Sequence, residues 1–226
     1  MFPAVRIPAK ATPSAAVIFL HGLGDSGAGW SFLAEEAARD GRFSNVNFVF
    51  PNAPMSPVTL NMGMKMPSWY DILSLERINA QQDEAGVLQS VETLKGLVEE
   101  QKQQGIPSER IVIGGFSQGA AVSLATSVVT EQKLGGVVGL SGYLPISDKL
   151  AQLKKDVNNS TPYFMGHGEV DDVVKFEYGK SSAEALKSSF GRQSVEFHQY
   201  PNLPHSASPQ ELSDLMSFLS KIIGSK

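Results

Sequence analysis

The chain has 226 residues, enough for one ordinary core, with 42% hydrophobic and 19% charged residues. A formal net charge of −4 supplies no electrostatic pull on DNA or RNA and argues against a nucleic-acid partner. There is no cysteine, which excludes disulfides, thiolate-bound zinc, a cysteine nucleophile and S-acylation of the chain itself.

The first residues, Met1–Arg6, lack the basic-then-apolar pattern of a signal peptide, and Phe2 stands where N-myristoylation needs glycine. No apolar run has the length of a membrane span. These features lead to the expectation of a cytosolic protein, with the nucleus as a second compartment and at most transient contact with a membrane surface.

Ala15–Leu20 (AAVIFL) is a continuous apolar run, the pattern of a strand buried on both faces. It ends in His21-Gly22-Leu23-Gly24-Asp25, a glycine-rich turn that matches neither GxGxxG nor a P-loop. Val46–Phe50 is a second strand, stopped by Pro51. Pro51–Asp83 then shows no clear period. It is rich in Pro, Asn and Met, and a long irregular stretch in a compact domain is usually functional. Val87, Val91, Leu94 and Val98 fall on one helical face, and that helix is expected to end at Gly105, with Pro107 beyond.

Arg110–Gly114, Gly136–Leu140 and Pro162–Met165 are three further apolar strands, and Val195–Tyr200 alternates. Leu212, Leu215, Met216 and Leu219 mark a last helix beginning near Pro209. Strands alternating with helices imply an α/β fold, a doubly wound, mostly parallel sheet with helices on both faces. The whole chain, 1–226, is expected to form a single domain.

Gly115-Phe116-Ser117-Gln118-Gly119 is a GxSxG between a strand and a small-residue helix, the setting of a nucleophile elbow. Such a turn exposes the Ser117 hydroxyl, and the helix N-terminus behind it offers N–H groups to a developing oxyanion. In this fold the acid and then the histidine follow the serine. His21 precedes Ser117, His198 lies within a strand and His167 closes one. His205, in the loop Asn202–Ser206 before the last helix, is the candidate base. The acid should follow the strand ending at Met165, where Glu169, Asp171 and Asp172 compete and position slightly favours Asp171. The amides of Gln118 and Leu23 are the candidate oxyanion donors. No HExxH and no cluster with ligand spacing is present, so neither a metal nor another cofactor is expected.

FLHGLGDSGAGW (19–30), PNAPMSPVTLNMGMKMPSWYDI (51–72), GGFSQGAAVSLA (114–125) and LPHS (203–206) together resemble the acyl-protein thioesterases, within the lysophospholipase/carboxylesterase group. The resemblance runs from about Ala15 to the C-terminus. It implies an α/β-hydrolase fold without a large lid domain. It implies hydrolysis of long-chain acyl thioesters on S-acylated, palmitoylated proteins, with small esters or lysolipids as the alternative substrates. It supports Ser117, His205, Leu23 and Gln118 in the roles above and selects Asp171 as the acid. Glu169, Asp172 and Lys175 depart from the family's HGDxDxxVP pattern at this loop. For the acyl chain, the methionine-rich segment provides the candidate wall: Leu60, Met62 and Met64, with Trp69, Leu73 and Leu75. Alternating methionines make a soft, adaptable surface.

Overall fold

A computed structural model describes residues 2–75 and 81–224. Five residues of the irregular stretch, 76–80, lie outside them.

Seven strands form one sheet: β1 (Ala4–Ile7), β2 (Ala15–Leu20), β3 (Val46–Pro51), then β6 (Ile111–Phe116), β7 (Gly136–Leu140), β8 (Pro162–Gly168) and β9 (Ser194–Tyr200). Their spatial order is β1-β3-β2-β6-β7-β8-β9, parallel throughout except for β1, which runs antiparallel to β3 at the edge. The apolar runs become buried strands because both faces are covered. On β2, Ala16, Ile18 and Leu20 pack into one core while Ala15, Val17 and Phe19 pack into the other. The first core is closed by α3 (Glu84–Gln103), α4 (Gln118–Val129), α5 (Ser147–Leu153) and α6 (Phe176–Ser188). The second is closed by α1 (Gly27–Trp30), α2 (Phe32–Ala37) and α7 (Pro209–Ile223).

The helix ends follow local chemistry. Asp83 caps α3 by accepting from Gly86 N–H, and Gly105, at φ 87°, takes the left-handed turn that follows. Ser208 caps α7 by accepting from Glu211 N–H, with Pro209 in the first turn.

The stretch 51–83 is less irregular than its sequence implies. β4 (Met55–Val58) pairs antiparallel with β5 (Met64–Pro67) as a separate two-stranded hairpin. Its strands have four residues each and contain Pro57 and Pro67, so neither shows a readable period.

One buried group works against stability. Glu211 in α7 is fully buried, and neither carboxyl oxygen has a hydrogen-bond partner among the described residues. Burial pushes its carboxyl up to about 7, opposed in part by the nearby Ser208 backbone and assisted by the Asp214 charge. A carboxyl raised on folding gives its full contribution below the unfolded value and loses it as pH climbs through the folded one. Glu211→Gln is therefore expected to stabilise the protein by on the order of 2 kcal/mol at about pH 8 and to change little at about pH 5. Urea unfolding at both values checks this, and a variant no more stable than wild type at the higher pH refutes it.

Candidate active site

The loops leaving the C-terminal ends of β2, β6, β8 and β9 converge, as expected for ligand sites in open α/β sheets. Between β6 and α4 the chain reverses at Ser117, with φ 54° and ψ −117°, a conformation costing on the order of 1–3 kcal/mol in a non-glycine residue. The glycines of the motif make room for it. A Cβ at Gly115 would sit 2.4 Å from the Gly119 carbonyl carbon, and one at Gly119 would sit 2.3 Å from the Leu20 carbonyl oxygen.

The Ser117 hydroxyl lies 2.9 Å from His205 Nε2, and His205 Nδ1 lies 2.7 Å from Asp171 Oδ2. The His205 ring is held against Phe116, with centroids 4.8 Å apart. The loops carrying acid and base are stitched together, Glu169 N–H donating to the Tyr200 carbonyl at 3.0 Å and Val170 N–H to the Leu203 carbonyl at 3.3 Å. Of the three competing carboxylates, Glu169 and Asp172 are exposed, while Asp171 is buried and faces the imidazole.

Asp171 Oδ1 accepts from Val173 N–H at 2.9 Å and from Val174 N–H at 2.8 Å. Burial alone would raise its carboxyl, but the bonds from His167, His205 and Val174 N–H outweigh it and hold the group well below the usual carboxylate range. The carboxylate is thus ionised and only accepts, so Nδ1 of His205 carries the hydrogen and Nε2 is free to accept from Ser117. His167, noted in the sequence only as closing a strand, supports this acid. Its Nε2–H donates to the Val174 carbonyl at 2.8 Å and lies 3.4 Å from Asp171 Oδ2. Its spacing of four before Asp171 was the readable signal.

His21 is also buried. It donates Nδ1–H to the Gly22 carbonyl at 2.7 Å, and its Nε2 accepts from Ala53 N–H at 3.0 Å, an arrangement only the neutral ring can make. Burial lowers its pKa accordingly. Leu23 follows in the same turn. Leu23 and Gln118 both border the space that Ser117 and His205 line. Gln118 opens α4, where first-turn amides have no carbonyl partner within the helix.

That space is a cavity of about 600 Å³. Leu60, Ile72, Leu75, Val173 and Val174 line it, together with Trp30, Phe116, Tyr70 and Tyr143, whose hydroxyls are bonded at 2.8 Å. Of the six residues proposed from sequence for an acyl wall, only Leu60 and Leu75 are among the lining residues. Met62 and Met64 are 96% and 61% exposed, because the hairpin turns them to solvent. Leu73 borders a separate narrow space on the other side of Tyr70 and Tyr143. Trp69 is buried in the core, stacked near Phe2 and tilted against His21. Val173 and Val174 carried no sequence signal, since each reads as ordinary loop, and Trp30 stood out only as the last residue of the family-like run 19–30.

No group of three or more His, Asp or Glu among the described residues could hold a metal ion, and no helix among them is long and apolar enough to cross a membrane. A model of the phospholipase/carboxylesterase family matches residues 3–223. Over 222 residues the chain is 54% identical to acyl-protein thioesterase 1 of Yarrowia lipolytica, covering 98% of each. It is 43% identical to acyl-protein thioesterase 1 of Saccharomyces cerevisiae, with 98% of this chain and 99% of that one covered. Among solved structures it resembles Zea mays acyl-protein thioesterase 2, with a TM-score of 0.85 at 29% identity, covering 99% of this chain and 100% of that one.

Proposed function

The chain belongs to the phospholipase/carboxylesterase family, and from that premise we propose that it is a serine hydrolase that removes long acyl chains from S-acylated proteins. The observation that carries this reading is the unbroken hydrogen-bonded series Asp171–His205–Ser117 at the wall of a largely apolar cavity.

The geometry supports acyl transfer in two steps. His205 Nε2 takes the Ser117 proton as the oxygen attacks the acyl carbon. The carbonyl electron pair moves to its oxygen, which the Leu23 and Gln118 N–H groups stabilise. Asp171 stabilises the imidazolium and keeps its orientation. Collapse of the tetrahedral species expels the thiolate, which leaves with the proton from Nε2. Water, activated by the same imidazole, then attacks the acyl-enzyme and releases the fatty acid. The alkyl chain occupies the space beside Leu60, Ile72 and Leu75. We place this reaction in the cytosol, at a membrane face that holds the S-acylated substrate.

The test is a series of monomeric acyl thioesters of increasing length, each matched by its oxygen ester. Up to roughly 0.8 kcal/mol per methylene makes two carbons worth on the order of ten-fold in kcat/KM until the cavity is filled. Leu75→Asp is expected to flatten this rise. Met64→Asp should leave it unchanged, because that side chain faces solvent. A wild type that prefers acetyl to octanoyl sinks the long-chain reading in favour of a small-ester carboxylesterase.

A further inference from the structure

The two amides proposed to hold the oxyanion lie far apart in the chain, Leu23 in the turn after β2 and Gln118 at the start of α4, yet both regions are fastened to one short segment, Pro67–Tyr70. On the Leu23 side, Trp69 Nε1–H donates to the His21 carbonyl at 2.9 Å. The Pro67 carbonyl accepts from Gly24 N–H, also at 2.9 Å. These bonds grip the turn on either side of Leu23. On the other side, the buried Gln118 side chain accepts from Trp69 N–H through Oε1 at 2.8 Å. Its Nε2 donates to the Tyr70 carbonyl at 2.6 Å and to Ser68 Oγ at 3.0 Å. The segment is itself braced, since Ser90 Oγ–H donates to the Trp69 carbonyl and Ser68 N–H donates to the Pro54 carbonyl at 3.0 Å.

Oxyanion donors must lie about 2.7–3.1 Å from a single future oxygen, and a misplacement near 1 Å costs on the order of a hundred-fold. Two donors on separate segments hold such tolerances only when a rigid element sets their spacing. We infer that Pro67–Tyr70 is a bracket that sets the separation of the Leu23 and Gln118 amides, with the Trp69 indole and the Gln118 carboxamide as its positioning groups. This rests on the acyl-transfer reading of the site. Because the oxyanion is the same whatever acyl chain is attached, loosening the bracket slows turnover equally for short and long substrates. Damage to an acyl wall would instead grow with chain length.

The first variant is Trp69→Phe, which keeps an aromatic ring and removes the indole N–H. Its kcat is expected to fall by on the order of 10- to 100-fold, equally for acetyl and octanoyl thioesters, with KM within about two-fold. Affinity for a trifluoromethyl ketone, which Ser117 converts to a tetrahedral oxyanion, should fall in the same proportion. A loss confined to octanoyl, or a folded variant with kcat unchanged, overturns the bracket. Should Trp69→Phe fail to fold, Gln118→Glu decides. A protonated carboxyl can still donate to the Tyr70 carbonyl and an ionised one cannot, so the kcat of Gln118→Glu should fall between about pH 6 and 9 while that of wild type does not. A profile parallel to wild type overturns the proposal. A wild type that neither hydrolyses nor reacts with a fluorophosphonate overturns the acyl-transfer reading and the bracket with it, whereas an active wild type with indifferent variants overturns the bracket alone.

Discussion

Ser117→Ala is expected to lower turnover by on the order of a million-fold and to abolish covalent labelling by a fluorophosphonate, because loss of one member removes the whole triad pathway. The fold should survive. The strained backbone at φ 54° is imposed by close packing of Gly115 and Gly119 against the chain, and alanine suffers there about as serine does. Only a hydroxyl is lost, and among the described residues its hydrogen-bond partner is the His205 ring. Circular dichroism and thermal unfolding should match wild type while hydrolysis and labelling vanish. Labelling at near wild-type rate would place the nucleophile elsewhere.

Asp171→Asn is expected to cost on the order of ten-thousand-fold in kcat, as a change of this kind does in another triad. The geometry here says why. Val173 and Val174 N–H both point at Oδ1, so the amide oxygen of asparagine must remain on that side. Its NH₂ then faces His205 Nδ1, where Oδ2 now lies at 2.7 Å. A donor at that position forces Nδ1 to accept and moves the ring hydrogen to Nε2, which can no longer take the Ser117 proton. Glu169→Gln and Asp172→Asn serve as controls, since both side chains are exposed, and their kcat should stay within about two-fold of wild type. Rates for the three variants on one thioester check the assignment, and a crippled Glu169→Gln would refute it.

What the sequence determined by itself was whatever depends on neighbours along the chain. A buried parallel strand announces itself as a run of apolar residues, because both its faces must avoid water, and Ala15–Leu20 and Gly136–Leu140 were legible for that reason. The elbow was legible because glycine, serine and glycine must all act within five residues of one turn. The stop of α3 just before Gly105 and the start of α7 at Pro209 follow from capping chemistry just as local. The tertiary structure alone decided everything that depends on what a side chain meets across the fold. Glu169, Asp171 and Asp172 are nearly equivalent as residues in a loop. They differ because the loop is stitched to Tyr200 and Leu203, which turns only Asp171 inward to His205. The methionines of the hairpin read as a wall for an alkyl chain, but the hairpin leaves Met62 and Met64 in solvent while Leu60 lines the cavity. Trp69 read as a second wall residue. Its indole N–H instead finds the His21 carbonyl, 48 residues away, and no local pattern encodes a hydrogen bond over that separation.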